Sequence, residues 1–450
     1  MLHEPAVSRK DRPLVRQISA PISKHEMLQN ELRQMVASVM TIEEEHFLEP
    51  QAGDEAEPSA PGLALQSHLV ASFEGQLTLS AEEAYPKLDE QLAKIEHLAA
   101  FRETDAASRK PNTPHTIHIL TGRIQVEPRP WWPNLVLFLA TLLSVMLVGR
   151  DLAAFEDPAL QRLLTENYLA EFWRGLPFAG ALLLILGAHE FGHYFAARYH
   201  KLAVTLPYFI PLPSFLGSIV GTMGAFIQLR EPMRNRKILF DVGAAGPLMG
   251  LLFAMPILVI GLTQAQIQPT QPGIYQYEGD SLFYALAKTV IFGRFVPSNG
   301  EDVIITSSQL AWAGWVGLLV TSLNLIPIGQ LDGGHVLYAL VGERARRLYW
   351  PTIITLGLLV GVFGATIWMI WILMLLFFGR AYATPLDTIT PLDPRRRALA
   401  ILTLFIFVVI FVPAPLTVQQ FTGPAPSIPP RESALLLSGL LALVWQRWHR

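Results

Sequence analysis

The sequence predicts a polytopic α-helical membrane protein of about seven or eight transmembrane helices. It adds a membrane-associated β-hairpin and a small α+β soluble domain in front. Three observations carry this reading. Of 450 residues, 51% are hydrophobic and only 16% charged, whereas soluble domains carry about a quarter charged residues. The apolar residues gather into long runs beyond residue 130, while the first 130 residues are polar. Between two of the runs, residues 204–232 are broken by Pro207, Pro211, Pro213 and Pro232, which fits a hairpin of strands and no spanning helix.

The N-terminus, "MLHEPAVSRKDRPLVRQISAP", lacks the apolar core of a cleavable signal and is too acidic for a good transit peptide. Residues 1–62 read as a helical region, 24–45, followed by a Pro-, Gly- and acid-rich linker, 49–62. Residues 63–130 read as the small α+β domain. "HLVASFEGQL" is strand-like, "SAEEAYPKLDEQLAKIEHL" is a helix with a Ser cap, and "AAFRET" and "HTIHILTG" are strands. His115 and His118 are three apart in the last strand and fall on opposite faces, so they are surface residues and not a ligand pair.

Residues 131–450 form the transmembrane domain, with its core at 175–345. Trp131 and Trp132 sit where interfacial anchors belong. Apolar spans fall near 133–149, 177–199, 239–262, 309–328, 348–379, 398–413 and 433–447. The basic clusters "RNRK", "ERARR", "PRRR" and the terminal "WHR" all lie on one side if 348–379 crosses twice, turning near Gly361 and Gly364. Non-helical backbone at membrane depth must be buried in protein or line an aqueous cavity, so segment 204–232 points to a cavity. The net charge of −3 argues against a nucleic-acid partner; the bilayer is the evident one. The absence of cysteine leaves His, Asp and Glu as metal ligands.

The chemistry lies in "LLLILGAHEFGHYFAARYH", 182–200. His189 and His193 stand at i and i+4 on one helix face and can reach one ion, while Glu190 can approach a water on that ion without being a ligand. A chance H-E-x-x-H in a chain of this composition has odds of roughly one in a hundred. Ionisable residues inside an apolar span are functional by default, which weighs against a merely hydrogen-bonded pair. Catalytic zinc takes three protein ligands and keeps one position open. "SLNLIPIGQLDGGHVLYAL", 322–340, offers Asp332 as the third, beside glycines and after Pro327, which must end a helix. The alternatives are that Asp332 is an N-cap and that His335 is the ligand. Asn324 is an amide in the same span, suited to bonding a loop or a substrate carbonyl. Gly221 and Gly224 allow tight turns in the hairpin and are candidate substrate-positioning residues.

"HEFGH" together with "NLIPIGQLDGG" resembles the paired signatures of the site-2 protease family, intramembrane zinc metalloproteases of peptidase family M50. Asn324, Pro327, Asp332 and Gly333 match its second motif, and "FDVGAAGPLMG", 240–250, resembles the Gly-Pro helix after the hairpin. The likeness covers roughly 175–345. It implies one Zn2+ held by His189, His193 and Asp332, with Glu190 as catalytic acid/base, and a single-span transmembrane protein as substrate in regulated intramembrane proteolysis. No segment reads as a PDZ domain, which points to the EGY-like branch. Of that branch's Gly-Asn-Leu-Arg-Gly stretch, "FEGQLTLS" keeps a trace, so the soluble domain's partner is not implied. A metal-binding transporter is the rival, but no half of the sequence repeats and Glu190 would have no task. The weak transit signal points to a bacterial cell membrane, with a plastid membrane as the alternative.

Overall fold

The computed structural model describes residues 24–48, 69–104, 114–123, 128–155, 157–167, 169–269, 273–294, 296 and 301–421. The expected linker 49–62 and the last expected span, 433–447, lie outside the described residues. The chain divides into two compact units at Gly122.

The first unit begins with α1 (Lys24–Ala37), β1 (Met40–Phe47) and β2 (Leu69–Leu77). It continues with α2 (Ala81–Ala93), β3 (His97–Glu103) and β4 (His115–Thr121). The strands form an antiparallel sheet in the order β1-β2-β4-β3. The helix expected over 24–45 therefore ends at Ala37, and its second half is an edge strand. Ladder bonds to β2 outweigh the weak helical pattern of "MTIEEEHF", and Arg33 reaches back to Glu45 at 2.8 Å. Residues 24–47 thus belong with the α+β domain, and the boundary placed at 62 does not divide them from it. Ile117 pairs with Phe73 and Phe101 on the buried face. His118 stands one residue on, and His115 lies on the opposite face from it.

Among its described residues, the second unit contains three helices long and apolar enough to cross a membrane. They are α3 (Trp132–Phe155), α5 (Leu176–Tyr199) and α6 (Arg236–Gln264), with the short α4 (Pro158–Glu166) between the first two. The other expected spans that fall on described residues hold shorter helices. Residues 309–328 hold α8 (Gln309–Asn324), which follows α7 (Leu282–Phe292), and α9 (Asp332–Val341) comes next. Residues 348–379 split into α10 (Tyr349–Phe363) and α11 (Ile367–Phe378). The turn uses Gly364, at φ +63°, while Gly361 stays helical. The Tyr349 hydroxyl donates to the Leu375 carbonyl at 3.2 Å, so the two helices are antiparallel. The unit's last described helix is α12 (Pro394–Ile410). At the end of the bundle remote from the histidines, β7 (Gln266–Pro269) pairs with β9 (Glu301–Ile304), and β8 (Gly273–Glu278) with β10 (Leu416–Phe421).

Helices α5, α6 and α8 pack together as the core. Lipid offers no hydrophobic drive for such contacts, so close backbone approach between small residues supplies it. A Cβ on Gly192 of α5 would lie 2.6 Å from the Ala245 carbonyl oxygen of α6, and one on Gly314 of α8 would lie 2.5 Å from Leu258 Cα. Gln309 fixes the start of α8 beside α5 by accepting from the Phe178 N–H at 3.0 Å and donating to the Arg174 carbonyl at 2.9 Å.

Segment 204–232 is a hairpin of β5 (Tyr208–Pro211) and β6 (Thr222–Phe226), extended by a bridge between Val204 and Leu229. It lies along α3. The Asn134 amide donates to the Leu206 and Pro207 carbonyls at 2.8 and 3.0 Å, and the Ser144 hydroxyl donates to the Gly221 carbonyl at 2.6 Å. Ten helical residues separate these anchors, so the hairpin runs about 15 Å along the span. These three carbonyls are thus satisfied by side chains of α3, as backbone at membrane depth requires.

Candidate metal centre

The 24-residue helix α5 carries His189, Glu190 and His193, all buried. The two imidazoles face α6, where a backbone carbonyl orients one of them. His193 Nδ1 lies 2.7 Å from the Val242 carbonyl oxygen. A carbonyl only accepts, so Nδ1 carries the proton and Nε2 presents its lone pair inward. His189 Nε2 stands 3.2 Å from that Nε2.

The third group arrives from a different part of the chain. After α8, residues 325–331 fold back, and α9 begins at Asp332. "DGG" permits this turn. A Cβ on Gly333 would lie 1.9 Å from the Leu325 carbonyl oxygen, and one on Gly334 would lie 2.4 Å from that of Gly329. Asp332 therefore emerges at a helix N-terminus, which favours a carboxylate. Its Oδ2 is 3.2 Å from His189 Nε2 and 3.3 Å from His193 Nε2.

Three electron-rich atoms thus converge in a buried space. Tetrahedral zinc with ligand bonds of about 2.0–2.1 Å separates its ligand atoms by about 3.3 Å. The observed separations of 3.2, 3.2 and 3.3 Å match that edge, so the donor set fits the ion. Among the described residues, these three form the one group of His, Asp and Glu side chains able to hold a metal. His335 is outside it and packs its Cβ toward Gly243.

The remaining expected residues separate into those near the cluster and those away from it. Asn324, at the end of α8, holds its amide nitrogen 3.3 Å from His189 Nε2. Glu190 stays out of the ligand triangle, and its buried carboxylate lies near the backbone of Ile227, just beyond β6. Gly224, at φ +107°, lies in β6 with open space around it. Gly221, at φ +87°, is pressed against α3, where a Cβ would meet Val145 Cα at 2.7 Å. It shapes the hairpin's packing at a distance from the histidines.

Two contributors went unread in the sequence. Gly246 and Gly250 of α6 form the floor under the imidazoles. A Cβ on Gly246 would fall 2.1 Å from His193 Nε2, and one on Gly250 would fall 3.2 Å from His189 Nδ1. The spacing of Gly243, Gly246 and Gly250 along one helix face was the available signal. A separate apolar groove of 910 Å³ runs along another face of α5, past Leu184, Phe191 and Phe195. It contains none of the metal-site residues.

Residues 177–368 match the family model described as peptidase family M50. The chain is 27% identical over 362 residues to a probable zinc metalloprotease, EGY2, chloroplastic, of Arabidopsis thaliana, covering 78% of this chain and 61% of that protein. It is 28% identical over 375 residues to a probable zinc metalloprotease, EGY1, chloroplastic, of Oryza sativa subsp. japonica, covering 76% and 62%. The chain thus spans about six-tenths of the length of these relatives. No solved structure matches it.

Proposed function

We propose that this chain, whose residues 177–368 match the model of peptidase family M50, is an intramembrane zinc metalloprotease hydrolysing peptide bonds within or near transmembrane segments of membrane proteins. The observation that carries the reading is the triangle of His189, His193 and Asp332, with edges of 3.2–3.3 Å. When bound, zinc supplies a water acidified to a pKa of about 7.

The chain's own groups do the rest. Val242 holds the His193 tautomer, and the start of α9 holds Asp332. Glu190 accepts the proton of the attacking water and delivers it to the leaving amide nitrogen, so the C–N bond breaks as the new C–O bond is completed. Asn324 is placed to donate to the scissile carbonyl, whose oxygen gains charge as water adds.

A helical substrate hides its carbonyls in its own hydrogen bonds, so it must unwind before attack. The edge of β6 leads to Glu190 and suits strand addition by an extended peptide, with Gly224 giving the backbone room. Paired prolines, Phe209→Pro with Ala225→Pro, should impair cleavage while zinc content holds; unchanged cleavage would refute the docking role. By the positive-inside rule, the basic end with Arg234, Lys237 and Arg396 lies on the cytoplasmic or stromal side. The substrate is then a single-span protein processed in regulated intramembrane proteolysis, and the soluble domain reads a partner yet to be identified. The chloroplastic names of the relatives favour a plastid membrane over the bacterial one suggested by the N-terminus.

The direct test uses purified chain in lipid nanodiscs with a single-span reporter. One zinc per chain is expected, with cleavage lost on chelation and restored by added zinc. Stoichiometric zinc without cleavage of a panel of single-span proteins would favour a binding protein over a hydrolase.

A further inference from the structure

Helix α12 lies outside the residues that match the family model, yet its first turn reaches α6 beside the metal centre. Arg396 places its guanidinium fork on Asp241, with Nε to Oδ1 at 2.8 Å and Nη2 to Oδ2 at 2.7 Å. Its Nη1 donates to Asp393 Oδ2 at 2.7 Å, while the Asp393 Oδ1 caps the helix by accepting the Arg396 N–H at 3.1 Å. Asp241 Oδ2 also lies 2.8 Å from His200 Nε2, at the C-terminus of α5.

Asp241 precedes Val242, whose carbonyl orients His193. His193 and His200 are seven residues apart, about two turns, and so share one face of α5. Both touch the same turn of α6, and together they fix the register of α5 against it. Arg396 fixes α12 to that turn as well. One turn further along α12, Ala400 is fully buried in a cluster with Val242 and Ala244 of α6 and Val336 and Ala339 of α9. Helix α9 carries Asp332. The start of α12 is therefore fastened to α6 by a bidentate ion pair and wedged by a small residue against the helix that presents the third metal ligand.

The strength of the pair does not explain its arrangement. Partly exposed ion pairs contribute little to stability. A fork on a carboxylate, with its second branch on the helix cap, specifies position and angle, which a lysine cannot reproduce. We propose that Arg396 is a positioning residue for the metal centre, acting through Asp241 to hold the turn that orients His193 and, through α12, to keep Asp332 within reach of the two histidines.

This inference rests on the zinc reading above, and the test separates the two. Zinc affinity is measured by chelator competition on the full chain in nanodiscs. The tetrahedral absorption of the Co2+-substituted protein is recorded for the parent, Arg396→Ala, Arg396→Lys and Asp241→Asn. Outer-shell partners of metal ligands typically change affinity about 10–100-fold. Arg396→Ala is expected to fall in that range with a weakened cobalt spectrum. Arg396→Lys should recover little, because it keeps the charge and loses the fork. A role in stability alone would lower the melting temperature and leave the affinity and spectrum of the folded fraction at parental values, and that result overturns the proposal. Should Arg396→Ala fail to fold, the same comparison on Arg396→Lys and Asp241→Asn decides. A parent chain that takes up no zinc would instead remove the metalloprotease reading, and this inference with it.

Discussion

Replacing Gly246 by alanine is expected to abolish zinc binding and peptide cleavage together while leaving the helix intact. The added Cβ would fall 2.1 Å from Nε2, 2.4 Å from Cδ2 and 2.5 Å from Cε1 of His193, inside the van der Waals envelope of the ring. The ring cannot simply swing aside, because its Nδ1 is committed to the Val242 carbonyl at 2.7 Å and α5 is already in backbone contact with α6 at Gly192. Turning the imidazole away withdraws Nε2 from Asp332 and His189 at once. Loss of an oriented ligand should cost at least about 100-fold in affinity, the upper range for disturbing the shell behind a ligand. Alanine stabilises a helix interior over glycine by about 0.5–1 kcal/mol, so unfolding is not the expected route. Gly250→Ala provides the graded control. Its Cβ would stand 3.2 Å from His189 Cβ and Nδ1, a contact that a few tenths of an ångström can relieve, so most of the zinc should remain. Competition with a chelator, read beside thermal melting, checks both variants. A Gly246→Ala chain with parental zinc affinity would mean that the histidines do not converge as described.

This prediction depends on a residue that carries no functional group, which bears on how far the sequence could be read. His189, Glu190, His193 and Asp332 were legible because their chemistry is out of place in apolar runs, where ionisable groups are expensive. The i, i+4 spacing also fixes a shared helix face without any knowledge of the fold. The hairpin was legible from Pro207, Pro211 and Pro213, and the fold at 364 from glycine in an apolar run too long for one crossing. Residues 40–47 were misread because the spacing of apolar residues in "MTIEEEHF" does not separate helix from edge strand. The partner strand that decides the matter begins at Leu69. Gly246 and Arg396 act through what they touch across the fold, His193 at 53 residues and Asp241 at 155 residues. The glycine spacing on α6 marks a close-packed face, but only the docked helices reveal which side chain meets it.

Glu190→Gln should abolish cleavage with zinc fully retained, whereas Gly246→Ala loses both. The carboxylate lies outside the ligand triangle, so its charge is not required to hold the ion. Glutamine is nearly isosteric and can occupy the same buried space. What it cannot do is take up a proton and give it back. A positioned acid–base group contributes about 10²–10⁴-fold to a rate, so turnover should fall by at least about 100-fold, with the parental cobalt spectrum unchanged. Asp332→Asn tests the other half of the division. An amide is a poor replacement for an anionic ligand, so zinc should be lost there and cleavage with it, with no activity regained at saturating metal if the carboxylate is also needed for geometry. The two variants therefore separate proton transfer from metal retention in neighbouring carboxylates. If Glu190→Gln cleaves a single-span reporter within about threefold of the parent rate, proton transfer must be assigned elsewhere. The buried position of Glu190 beside β6 would then have to be explained by packing against the hairpin alone.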